Sequence, residues 1–155
     1  MDIFEINNVK LSVEEDNDFM AKYGIPKGLP CAIISLPLLK GFDGHVSVSA
    51  GFFRLSEESQ QTMLTHEAGH AACGHLLIET PTDGLLINAD IEAEADAWAD
   101  AVLGAGVFDK FIAENRSYVI AKIGDALTPD ILASIDQDCE QRIAKRLEWI
   151  AKNKM

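Results

Sequence analysis

Three of the four histidines in this 155-residue chain fall in one short stretch, THEAGHAACGH, at residues 65–75. Within it, His66-Glu67-Ala68-Gly69-His70 has the form H-E-x-x-H. On a helix, side chains four apart share one face about one turn apart, so His66 and His70 are placed to bind one ion. Tetrahedral zinc is the ion such a pair suits. Glu67 lies about 100° round the helix from His66. It flanks the metal instead of binding it, where it can take a proton from a water polarised there. Composition alone gives a chance H-E-x-x-H in such a chain roughly one time in a hundred, so the motif reads as functional.

Two histidines do not complete a catalytic zinc site, which has three protein ligands and an open position. Three sources for the third ligand present themselves. In the longer H-E-x-x-H-x-x-G-x-x-H pattern the third histidine would fall on Leu76. His75 is one residue early, and on a continued helix it points about 140° away from His70, so it reads as exposed or structural. Cys73 is seven residues past His66, but a cysteine between Ala72 and Gly74 is more often core. The third source is IEAEADAWAD at 91–100, where Glu92 and Asp96 are four apart and share a helix face. One carboxylate can bind the metal while the other accepts the free N–H of a metal-bound ring, fixing its tautomer. Glu94, Asp90 and Asp100 read as a solvated acidic face.

These residues need elements to hold them. Ser12 reads as the cap of a short helix over 12–22. CAIISLP, from residue 31, reads as a buried strand, and HVSVSAGFF, from residue 45, as a half-exposed or edge strand. Ser56 caps a helix over 57–78, with Glu57 and Glu58 in its first turn. Further helices are expected over about 90–103 and 108–124. The last opens on Thr128 and Pro129, and carries the stripe Ile131, Ile135, Cys139, Ile143, Leu147 and Ile150. Strands first and helices after suggest an α+β fold in a single domain, 1–155.

Composition narrows the function. A net charge of −12 excludes nucleic-acid binding by electrostatics, and argues against anionic membrane surfaces. No apolar run is long enough to span a bilayer, and the acidic start does not resemble a signal peptide. Three scattered cysteines without a C-x-x-C pair fit reduced thiols in a cytoplasmic setting.

H-E-x-x-H followed some twenty residues later by E-x-x-A-D (Glu92 to Asp96) resembles the gluzincin zinc metallopeptidases. The lead-in LSEESQQTMLTHEAGH is similar to the small soluble members, the minigluzincins and the ImmA/IrrE-like peptidases of bacteria and phages. The resemblance covers roughly residues 31–104, the catalytic core, with 105–155 a helical C-terminal part that matches nothing in it. It implies a zincin-like fold with a small mixed sheet, an active-site helix and a glutamate helix. It implies Zn2+ held by His66, His70 and Glu92, with Glu67 as general base and Asp96 as the hydrogen-bond partner of one ring. It further implies that HVSVSAG is an edge strand against which a peptide or protein substrate binds antiparallel. Tyr118 and His45 are the candidates for an oxyanion-stabilising group. The alternative reading is a latent or non-catalytic zinc-binding regulatory protein on the same fold.

Overall fold

The computed structural model describes residues 1–77, 89–104 and 106–153. Among these residues the fold is α+β, with a four-stranded mixed sheet and five α-helices. The chain opens with a hairpin of β1 (Asp2–Ile6) and β2 (Val9–Glu15). Its loop is the pair Asn7–Asn8, with φ of 49° and 66°. Two successive left-handed residues make the tight turn whose twist matches paired strands, and asparagine tolerates that conformation better than most residues. Val9, Leu11 and Val13 alternate into the core, as a strand's period of two requires.

The helix expected over 12–22 is therefore shorter. Ser12 sits buried inside β2, and helix α1 (Asn17–Lys22) is capped by Asp16, whose Oδ1 accepts the Phe19 N–H at 2.9 Å. Two more strands follow, β3 (Ala32–Ser35) and β4 (Gly44–Val48). The spatial order is β1-β2-β4-β3, with β2 and β4 parallel and the other pairs antiparallel.

This order reverses the expectation for β3 and β4. β4, expected at an edge, is interior and buried along its length, because β2 pairs with its far side. β3, expected to be buried, is the edge strand. After Val48 the chain leaves the sheet for a 3₁₀ turn, Ala50–Arg54, instead of extending the strand.

Helix α2 (Glu57–Ala72) begins as expected, with Ser56 Oγ accepting the Ser59 N–H at 3.1 Å. It stops six residues before the expected end, at Ala72. Gly74 has φ of +77°, a left-handed residue that ends helices, and His75–Leu77 form a 3₁₀ turn. Helices α3 (Ala89–Leu103), α4 (Val107–Ile123) and α5 (Pro129–Asn153) follow. No helix among the described residues is long and apolar enough to cross a membrane.

The core lies between the sheet and the helices. Leu11, Val46 and Val48 from the sheet meet Leu64 and Ala68 of α2, and Phe108 and Phe111 of α4. At the start of α2, Glu114 of α4 accepts from the Ser56 N–H and hydroxyl, both at 2.7 Å, and from the Ser59 hydroxyl. Helix α5 packs on α3 and α4 with Cys139 and Ile143 of its apolar stripe and with two arginines. The Arg142 and Arg146 guanidinium groups lie 5.0 and 5.2 Å from the centre of the Phe108 ring. Such cation–π contacts contribute about 0.5–2 kcal/mol each.

Candidate metal centre

Gly69, the fourth residue of HEAGH, is what lets the two site-bearing helices meet. A Cβ there would lie 3.0 Å from the Ala95 carbonyl oxygen and 3.2 Å from its Cα. The backbones of α2 and α3 thus approach as closely as a missing side chain permits. Ala68 and Ala95, both fully buried, complete the tight crossing.

The close crossing carries Glu92 and Asp96 to the histidines. Nε2 of His66 and Nε2 of His70 are 3.1 Å apart. Glu92 Oε2 lies 2.9 Å from His66 Nε2, and Glu92 Oε1 lies 3.4 Å from His70 Nε2. A tetrahedral ion with bonds of about 2.0–2.2 Å has ligand–ligand edges of about 3.3 Å. The two nitrogens and the Glu92 carboxylate form a triangle of about that size.

What lies behind each ring decides which atom faces the triangle. Asp96 Oδ1 is 2.6 Å from His66 Nδ1. The contact is bent, an ion pair more than a straight hydrogen bond, since that nitrogen has no partner of good hydrogen-bond geometry. Asp96 is 1% exposed, and burial alone would favour its neutral form. The contacts with His66 and Arg142 overcome that and hold the carboxyl below its usual range. Arg142 reaches it from α5 with two donors, Nε at 3.0 Å and Nη2 at 3.1 Å.

Behind His70 stands His75, its Nδ1 2.8 Å from His70 Nδ1, with its Nε2 2.5 Å from Glu94 Oε1. Glu94 accepts from His75 Nε2–H, so His75 Nδ1 is the acceptor for His70 Nδ1–H. With neutral rings, both Nε2 lone pairs then point at the Glu92 carboxylate, and three electron-pair donors surround one point. A cation there converts their mutual repulsion into three bonds, so the donor set fits a metal ion. Without a cation, a proton fills that role. Burial opposes charge on His66, but Asp96 and then Glu92 outweigh it and push its pKa up to about 10. Burial likewise disfavours the Glu92 carboxylate, yet its contacts with His66 and His70 hold it well below the carboxylate range.

The triangle opens on a cleft of about 260 Å³. Cys31 and the edge strand β3, with Ala32, Ile33 and Ile34, form one wall, while Met63, Phe111 and Asn115 stand on the helical side. Glu67 and Arg142 also line it. Burial pushes the Glu67 carboxyl up to about 8, with the His66 and Arg142 charges opposing and the Glu92 charge adding. Burial, and then the charge of Glu67, push the Cys31 thiol up to about 12, so it is neutral.

His66, Glu67, His70, Glu92 and Asp96 are thus brought together. Five other residues stand otherwise than expected. His75 is 3% exposed and faces His70, because α2 ends at Ala72 and the Gly74 turn folds the chain back. Glu94 pairs with it instead of lying on a solvated face. Asp100, also read as solvated, is mostly buried near Arg146, at 3.9 Å. His45 is buried on β4 with its Nδ1 2.7 Å from Ser12 Oγ, and Tyr118 donates its hydroxyl proton to the Arg54 carbonyl. Neither lines the cleft. Arg142 was not singled out from the sequence. The available signal was two arginines four apart, Arg142 and Arg146, flanking the apolar stripe of α5 in a strongly acidic chain.

Compared with models of protein families, with curated proteins and with solved structures, the chain matches none.

Proposed function

We propose that this chain is a zinc-dependent peptidase of the gluzincin type, with a zincin-like fold, acting on peptides or flexible protein segments in a reducing, cytoplasmic setting. The observation that carries the reading is the convergence of His66 Nε2, His70 Nε2 and Glu92 in a cleft that also holds Glu67 and an edge strand. Two imidazoles and one carboxylate are a donor set suited to zinc with one position open. When bound, such an ion lowers the pKa of water toward neutrality and polarises a carbonyl.

The chain's own groups supply the rest. The free edge of β3 offers backbone donors and acceptors to an extended peptide, the role the resemblance assigned to β4. Glu67 accepts the proton of the attacking water and returns it to the leaving amine. Burial raises the Glu67 carboxyl above its ordinary range in the metal-free site, which favours return of the proton. Asp96 and His75 hold the two rings in the tautomer that leaves Nε2 bare. Arg142 holds Asp96 and places positive charge at the cleft wall, where a developing oxyanion is stabilised. Helix α5 thus supports the site through Arg142.

The test is Glu67→Gln, assayed on an unfolded protein substrate. We expect metal content to stay at the wild-type level and hydrolysis to vanish. Retained hydrolysis would remove Glu67 from its role.

A further inference from the structure

The His75–Glu94 pair has a third member. Cys73 Sγ, a His75 ring nitrogen and a Glu94 carboxylate oxygen all lie within 4.8 Å of one another. We propose that Cys73, His75 and Glu94 form a second metal site, one that takes soft, thiolate-seeking divalent ions, beside the His66–His70–Glu92 centre and sharing no ligand with it.

Local structure builds the cluster. Cys73 is the residue that ends α2, with its N–H bonded to the Gly69 carbonyl at 2.9 Å. The left-handed Gly74 then reverses the chain and sets the His75 ring beneath the helix end. Glu94 arrives from α3, two residues past Glu92. On a helix, two residues are about 200° apart. One acid therefore serves each cluster, and the two sites share no ligand. His75 is 3% exposed and so is held fixed, while the Glu94 side chain is 32% exposed and leaves the cluster open to solvent at its rim. Both a rigid base and an entry path are present.

The donors set the selectivity. One sulfur, one imidazole nitrogen and one carboxylate oxygen favour zinc or cadmium over magnesium or calcium, which prefer all-oxygen shells. The first centre has no sulfur among its donors, so the two sites differ in kind as well as in place. An ion here displaces two protons to solvent, the thiol proton of Cys73 and the proton on His75 Nε2, and the single remaining Nδ1 proton is then shared between His75 and His70. The site stands whether or not the protein is a peptidase.

The probe is Cd2+ titrated into the reduced, metal-free full-length protein. The readouts are the cadmium–thiolate absorption in the ultraviolet and the cadmium retained after desalting. We expect about two ions per chain and a thiolate band. Cys73→Ser should abolish the band and one ion, while Cys31→Ser and Cys139→Ser leave both. Glu92→Ala should remove the other ion and keep the band, so failure of this site and failure of the first are told apart. If Cys73→Ser does not fold, Glu94→Gln carries the test, with thiolate-bound cadmium held about tenfold more weakly or worse. A wild-type protein with no thiolate band, or a band that survives Cys73→Ser, would overturn the proposal.

Discussion

His66 and His70 turn the same nitrogen to the same point, yet their other nitrogens are held by different means. Behind His66 stand an ionised, 1% exposed Asp96 and an arginine from the far end of the chain. Behind His70 stand a histidine five residues on and a partly exposed glutamate. The first support offers its ring a carboxylate directly and is dry and long-range, and the second offers an imidazole and is local and partly wet. An anionic acceptor raises ring basicity more than a neutral one, and its charge is less screened when buried. The two halves of one centre therefore differ in how much each depends on its support.

The largest effect should come from Asp96→Asn, which keeps the volume and removes the charge. Metal affinity should fall about 100-fold, the upper end for such partners, as read by competition with a chelator. A loss no greater than that of His75→Ala would erase the difference between the halves.

A pH effect belongs to the His66 side as well. In the metal-free protein His66 is raised to about 10, above the roughly 6.5 of an unfolded histidine. A raised pKa gives stability that is complete below the unfolded value and lost as pH climbs through the folded one. The urea midpoint of metal-free protein should fall between about pH 6.5 and 10, and less so in Asp96→Asn. Equal slopes in the two proteins would place the proton elsewhere.

Gly69→Ala probes the crossing that both halves share. Its Cβ would meet backbone, which yields less readily than a side chain. Overpacking of this kind costs about 1–3 kcal/mol, readable in a denaturation curve, and should weaken metal binding with it. A neutral result would mean that the helices do not need to be this close.

On the weaker side, His75→Ala should reduce metal affinity about tenfold, and Glu94→Gln only a few-fold, since its carboxylate is partly solvated. Competition titrations of the two variants under the Asp96→Asn conditions would rank them. Glu94→Gln matching Asp96→Asn would invert the comparison.

The site was legible where chemistry and helix period coincide. His66 and His70, and then Glu92 and Asp96, are four apart, and that spacing alone puts each pair on one face. What escaped depended on where elements stop. Extending α2 to residue 78 turned His75 away from His70, whereas the Gly74 turn brings it back. The strand at Val9–Glu15 was hidden by Ser12 and the acids after it, which imitate a helix start. With that strand missing, β4 had no partner on its far side and looked like an edge. Asn7–Asn8, a two-residue turn of the hairpin kind, was the overlooked clue. Arg142 lies 46 residues from Asp96, and no local pattern connects a pair so distant.

The central claim is that His66, His70 and Glu92 hold one metal ion. It is tested most directly by measuring zinc per chain by elemental analysis, on protein purified without chelator or affinity-column metal. A Cys73→Ser background confines the reading to this centre. The account predicts about one zinc per chain there, and essentially none once Glu92→Ala is added. Zinc that is indifferent to Glu92, or none taken up even when supplied, would contradict it.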